Sequence, residues 1–313
     1  MMPTPVIAVV GPTAVGKTEV TLALARRLDA EVVSADSMQV YRGMDIGTAK
    51  PSPAELAAVP HHLINVVEPD QPWSVADWVA QARSLTVDIR SRGKVPLVSG
   101  GTPLYLEALF GRFPLATGAR PDVQLRARLA RLEGRFGPGY LHRQLSAVDP
   151  VVGRRVHPAD LKRTIRALEV YLVTGTPLSV LERKAVEARP AVEPPVLLVG
   201  LWRPRSELAE RIEARVSAML RAGLVAEVQG LLARGLDPRL PALQAVGYKE
   251  VVEYLRGRVT LAEAARLIVR NTRRLAKRQM TWFRSDPRIH WIRAGMNIQV
   301  VVEDIVTLAG GKT

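Results

Sequence analysis

The sequence predicts an α/β fold: a three-layer core on a parallel sheet, interrupted by an all-helical insertion and followed by a basic C-terminal helical region. Three observations carry this reading. Short apolar runs alternate with loops and helical stretches at both ends of the chain. Strand-like runs become scarce between residues 121 and 189, where helical spacing takes over. Between Ala264 and Ser285 no acidic residue occurs, while cations recur at helical intervals.

The elements follow in order. Val6-Ile7-Ala8-Val9-Val10 is a continuous apolar run, the pattern of a strand buried on both faces. A glycine-bounded loop over residues 11–18 leads into a helical stretch at 19–28. A second run, Glu31-Val32-Val33-Ser34-Ala35, ends at Asp36. A third, Val95-Pro96-Leu97-Val98-Ser99, ends at Gly100-Gly101-Thr102, ahead of a helix through Tyr105 and Leu109. Strand, loop and helix alternating in this way define the core. The middle of the chain instead shows Leu125, Leu129 and Leu132, then Ile165, Leu168 and Leu172, at helical spacing. Pro190, Pro194 and Pro195 precede Val196–Trp202, another buried-strand pattern. The core is therefore expected to comprise residues 1–115 and 196–313, and the helical insertion residues 116–195. Beyond Trp202, Leu208, Ile212, Val216, Met219 and Leu220 share one helix face.

Composition removes whole classes of function. Hydrophobic residues make up 47% of the 313, ample for a core and too many for a disordered chain. No apolar run approaches the ~18–20 residues of a membrane span, and residues 1–5 carry no basic leader. A cytoplasmic protein with no membrane partner is expected, and no extra interface segment points beyond a monomer. Cysteine is absent, which excludes disulfides, thiolate metal sites and cysteine nucleophiles. Lys and Arg number 44 against 30 acidic residues, a net charge of +14 that favours a polyanionic partner.

Gly11-x4-Gly16-Lys17-Thr18 is a complete P-loop with a strand before it and a helix after it, so the core is expected to be P-loop NTPase-like. Gly11, Pro12, Thr13, Ala14, Val15, Gly16, Lys17 and Thr18 would bind a di- or triphosphate. Backbone N–H groups of such a loop surround phosphate oxygens, Lys17 adds a point charge, and the Thr18 hydroxyl can ligate Mg2+. No guanine-reading stretch follows, which argues against a GTPase. The strand ending at Ser99 lacks the terminal Asp that holds metal in many kinases. Asp36 could fill that role, so a kinase stays open. Asp36 ends a strand where open parallel sheets bind ligands; it can hold metal, take a proton or cap a helix. Gln39 has the paired donor and acceptor that match an adenine edge. His61-His62 is an adjacent pair, suited to packing or a loop and poorly spaced for metal.

Seven blocks resemble, in order, the bacterial form of the tRNA dimethylallyltransferase (tRNA isopentenyl transferase) family: residues 11–18, 34–42, 45–51, 100–106, 166–170, 247–250 and 276–284. The resemblance implies transfer of a dimethylallyl group from dimethylallyl diphosphate to N6 of the adenosine 3′-adjacent to the tRNA anticodon. Pyrophosphate is released and Mg2+ is used. It implies that the P-loop holds the leaving pyrophosphate with Arg215, that Asp36 is the general base, and that Thr102 lines the channel where the substrates meet. The target base must flip out of its stack to be reached, into Asp36, Ser37, Met38 and Gln39. Further tRNA contacts are implied at Thr102, Arg126, Lys162, Arg163, Arg166, Gln244, Gly247, Tyr248 and Lys249, and at Lys277, Arg278, Gln279, Thr281, Trp282 and Arg284. Val15 stands where many members carry Ser, and Lys162 where Gln is frequent. The zinc finger that eukaryotic relatives append has no counterpart in a chain without cysteine.

The C-terminal cations point to RNA on their own account. Arg266, Arg270, Arg273 and Lys277 step by 4, 3 and 4 and share a helix face that Arg284 continues. An ordinary solvated face mixes signs, and this one does not. Trp282 and Phe283 suit base stacking and core packing equally. A small-molecule kinase would leave this stripe idle, and a non-catalytic RNA-binding NTPase would leave Asp36 without a role. A prenyltransferase of free AMP or ADP uses the core but not the insertion. An anticodon stem-loop is the partner that employs every part.

Overall fold

The computed structural model describes residues 5–111, 122–187 and 195–310. The expected domain limit at 116, with Pro121, Pro190 and Pro194, lies outside them. From the N-terminus the chain forms β1 (Val6–Val10), α1 (Lys17–Leu28), β2 (Ala30–Ser34), α2 (Pro53–Ala58) and β3 (His61–His62). Next come α3 (Val75–Ser91), β4 (Val95–Gly100) and α4 (Pro103–Leu109). Five helices follow: α5 (Val123–Phe136), α6 (Tyr140–Val148), α7 (Pro150–Arg155), α8 (Leu161–Thr174) and α9 (Leu178–Glu187). The chain returns through β5 (Val196–Trp202), α10 (Arg205–Arg221), α11 (Leu224–Ala233) and α12 (Tyr248–Leu255). It closes with α13 (Leu261–Arg284), β6 (Ile289–Arg293) and α14 (Ile298–Leu308).

The six strands are all parallel, in the order β3-β2-β4-β1-β5-β6. From β1 the chain moves to one side of the sheet, to β2, and from β4 it moves to the other, to β5. The carboxyl ends of β1 and β4 thus flank the switch point, the place where such sheets open a ligand crevice. Val10 pairs with Gly100 there. Alternate residues Ile7, Val9, Val32, Leu97, Val199 and Leu201 form one face of the sheet, packed with Val20 and Leu24 of α1 and Val301, Val302 and Ile305 of α14. The intervening Ala8, Val33, Val98 and Leu198 are equally buried. α3 packs on β2 and β4, and its Trp78 donates its indole N–H to Ser34 O and stacks on Tyr105 of α4, centroids 4.5 Å apart. A second cluster joins Tyr41, Met44, Val228, Tyr248, Val251 and Ile268.

The chain divides into two compact units, Met1–Phe110 with Pro194–Thr313, and Gly111–Glu193. The second has its own core of Leu129, Leu141, Leu145, Val152, Val156, Ala167 and Leu168. Its Glu169 is fully buried, accepting from Arg126 Nε and Nη2 at 2.8 Å each, from Arg166 at 2.6 Å and from Asp122 N–H. Those guanidiniums hold Glu169 ionised below the usual carboxylate range against the cost of burial. Leu172, expected on the apolar face, is 55% exposed.

Two strands escape the sequence pattern. β3 has only two residues, too few for any period, and His62 Nε2 sits 2.8 Å from the buried Glu31 carboxylate, which Arg92 also grips. Hydrogen bonds from Arg92 and then His62 pull the Glu31 carboxyl down to about 2, despite burial. β6 is an edge strand, with only Ile289 buried, and follows a long helix in a region of helical spacing. No single helix among the described residues is long and apolar enough to cross a membrane.

Candidate active site

The site begins with backbone geometry. Gly11 adopts φ +149, and a Cβ there would stand 2.7 Å from Leu201 O, so β5 allows only glycine at the turn out of β1. Ala14 (φ 64) and Gly16 (φ 109) are left-handed, and the loop closes onto the N-terminus of α1 at Lys17. Lys17 Nζ donates to Gly11 O and Pro12 O, each at 2.9 Å. Arg211 donates to Ala14 O at 2.9 Å and Arg203 to Val15 O at 2.8 Å. Three cations thus hold the loop carbonyls. Neither Arg203 nor Arg211 was marked by sequence reasoning. Only their approach from β5 and α10 distinguishes them among so many arginines.

Opposite the loop lies the turn after β2. Asp36 Oδ1 accepts from Met38 N–H at 2.8 Å, so the carboxylate caps a tight turn and no helix follows. Thr102 Oγ1 accepts from Ser37 N–H at 3.0 Å, and Thr102 N–H reaches Ala35 O at 3.2 Å, tying this turn to the end of β4. Gly100 and Gly101 are now explained. Ala35 crosses so near Gly100 that a Cβ would collide with its backbone, and a Cβ on Gly101 would sit 2.7 Å from Gln279 Nε2.

A cavity of about 910 Å3 opens between these parts, lined by Thr13, Lys17, Thr18, Asp36, Gln39 and Arg215, with Gly101, Arg211 and Gln279 at its wall. Arg215 reaches it from α10, one turn beyond Arg211. Burial lowers the Lys17 ammonium to about 8, with Asp36 pulling it back up and Arg215 pushing it further down. Burial likewise lowers Arg215, offset by Asp36 and reinforced by Arg211. Both cations are charged at neutral pH and short of anions, which is the state a phosphate ligand relieves.

Among the other residues implied as tRNA contacts, some side chains make internal hydrogen bonds and others are exposed. Gln39 accepts from Ser34 Oγ at 3.0 Å and donates to Ala49 O at 3.2 Å, so its amide is already engaged where an adenine edge was expected. Met38 packs against the second core cluster. Tyr248 is buried, its hydroxyl donating to Glu227 at 2.6 Å. Glu227 also accepts from Asp45, Ile46 and Gly47 N–H, a clamp that sequence reasoning missed because it joins residues 180 or more positions apart. Gly247 (φ 103) is a turn whose N–H goes to Glu250 at 2.8 Å, and Gln244 and Lys249 lie beside it, Gln244 exposed and Lys249 half-buried. Arg126 and Arg166 serve Glu169 in the helical unit, where Lys162 and Arg163 remain exposed.

α13 is one unbroken helix to Arg284. It buries Ala264, Ile268, Thr272, Ala276, Gln279 and Phe283 and exposes its cations. Phe283 is thus core, while Trp282 is 37% exposed and donates its indole N–H to Glu107. Lys277, Arg278, Thr281 and Arg284 are exposed. The stripe is less uniform in space than in sequence, because Glu213 of α10 pairs with Arg273.

No group of three His, Asp or Glu able to hold a metal occurs among the described residues. Thr18 and Asp36 nevertheless line one cavity and offer only oxygen, the hard donor set of an ion that takes its other ligands from phosphate and water.

A parallel sheet with a glycine-bounded loop at its switch point, faced by a carboxylate and cations, defines an α/β protein of P-loop-like fold. The chain belongs to the IPP transferase family, a family of prenyl-transferring enzymes, whose model matches residues 39–286; an isopentenyl transferase model matches residues 4–65. It is 50% identical over 291 residues to the tRNA dimethylallyltransferase of Symbiobacterium thermophilum, covering 93% of this chain and 90% of that one. Identity to the Moorella thermoacetica enzyme of the same name is 51% over 294 residues, covering 92% and 89%. Among solved structures, the tRNA isopentenylpyrophosphate transferase of Bacillus halodurans aligns over 98% of this chain and 96% of its own, at 40% identity and TM-score 0.71. A eukaryotic dimethylallyltransferase acting on tRNA shares the fold, with TM-score 0.80 at 24% identity over 99% and 80%.

Proposed function

We propose that this chain transfers a dimethylallyl group from dimethylallyl diphosphate to N6 of the adenosine 3′-adjacent to the anticodon of tRNA, releasing pyrophosphate. The observation that carries the reading is the convergence of Lys17, Arg215 and Asp36 on one cavity of about 910 Å3. The P-loop holds the diphosphate, and the carbon–oxygen bond breaks as negative charge grows on the departing pyrophosphate. Loop amides, Lys17 and Arg215 stabilise that charge more in the transition state than in the ground state. Thr18 would hold Mg2+, which would supply further charge neutralisation at the diphosphate. Asp36, with one oxygen fixed by Met38 N–H, keeps the other for the proton that the adenine amine loses as it bonds to carbon. Thr102 and Ser37 keep that carboxylate in register. Exposed cations of α13, with Lys162 and Arg163, bind the anticodon stem-loop.

The test is a transfer assay with radiolabelled dimethylallyl diphosphate, Mg2+ and an anticodon stem-loop. Label should enter the adenosine RNA and not a guanosine variant. Asp36→Ala should lower kcat at least ~100-fold while the RNA still binds. Label on AMP alone would move the acceptor to a free nucleotide, and ATP-dependent phosphorylation without any label transfer would make the protein a kinase.

A further inference from the structure

Gln279 belongs to a block whose neighbours Lys277, Arg278 and Thr281 are exposed on α13, yet its own side chain points the other way and is 9% exposed. Its two amide atoms reach different halves of the cavity. Oε1 accepts from Thr13 N–H at 2.9 Å, within the phosphate loop. Nε2 donates to Gly101 O at 2.6 Å, one residue before the Thr102 that holds the Asp36 turn. Gly101 has no side chain because that amide occupies the space. A carboxamide is the group that can accept on one side and donate on the other at this reach.

We infer that Gln279 is a positioning residue, a strap that sets the distance between the diphosphate loop and the Asp36 turn, and not an RNA contact. This inference rests on the proposed prenyl transfer for its catalytic consequence. Its structural content, the hold on the phosphate loop, does not. Displacement of reacting groups by as little as an ångström costs about a hundredfold in rate, so a strap between the two halves governs kcat. An RNA-contacting side chain would instead govern the KM for RNA.

The experiment uses the full-length protein with Gln279→Met, which keeps the length and volume but loses both hydrogen bonds. Gly101→Ala, which presses on Nε2 without removing it, is the second variant. Three quantities are read: kcat, the KM for the stem-loop, and the Kd for inorganic pyrophosphate by calorimetry. We expect kcat to fall roughly ten- to hundredfold, pyrophosphate to bind several-fold more weakly, and the stem-loop KM to stay within about twofold. A raised stem-loop KM with unchanged kcat and pyrophosphate affinity would make Gln279 an RNA contact and overturn the inference, as would wild-type values throughout. Should the wild type transfer no label, the proposed function falls, and pyrophosphate affinity still decides the strap. Should Gln279→Met fail to fold, Gly101→Ala supplies the same readings.

Discussion

Lys17 shows how a single residue joins sequence to chemistry. Its place in the P-loop is legible in the sequence, but its protonation is set by burial, which lowers it to about 8. Below that pH the buried charge costs stability. The cost fades as pH rises from about 8 towards the unfolded value of 10.5, because the unfolded chain then holds more protons. A bound diphosphate restores the charge. Pyrophosphate binding at pH 9 should therefore take up more protons in the wild type than in Lys17→Met. Calorimetry of both proteins in two buffers of different ionisation enthalpy measures this, and equal proton uptake by the two would contradict it. Gln39 and Tyr248 teach the converse. Their residue types suit RNA recognition, and in this structure their polar groups bond to Ala49 O and Glu227. Residue type states what a side chain can do, and its neighbours decide what it does.

Among the elements, α13 was the most legible. Thr260 and Glu263 form a capping box at its start, and the spacing of its apolar and basic residues separates two faces along 24 residues. The pairing of Arg273 with Glu213 was not legible, since α10 lies sixty residues earlier in the chain. That difference yields a graded prediction. Arg270→Ala and Lys277→Ala should each weaken stem-loop binding and flatten its log–log salt dependence by about 0.7 to 0.9 per lost phosphate contact. Arg273→Ala should do markedly less, because its charge is already shared. Binding measured from low to moderate salt checks this, and equal slopes for all three variants would count against the reading. β6 and β3 were illegible for a different reason: one is an edge strand with a single buried residue, the other two residues long.

At the scale of the whole molecule, the two units keep separate cores, and each should answer separately to mutation. Glu169→Gln removes a buried carboxylate from Arg126 and Arg166, whose guanidiniums are over a third exposed and stay hydrated, at a cost of about 1–2 kcal/mol. Hydrogen exchange should speed up in α5 and α8, while α1 amides and pyrophosphate affinity keep their wild-type values; protection lost equally in α1 would show one cooperative unit instead. The sequence by itself determined the layered α/β class, the phosphate loop, the helical middle and the basic face of α13. Each is encoded in local period or in a motif whose backbone geometry is its function. Only the tertiary structure decided which arginines brace the loop, that Glu227 clamps residues 45–47, and that Gln279 joins the two sides of the cavity. Those contacts pair residues some 180 to 270 positions apart, and no local pattern carries such a distance. It is the packing of the end of β5, α10, α11 and α13 against the turns that follow β1 and β2 that brings them together.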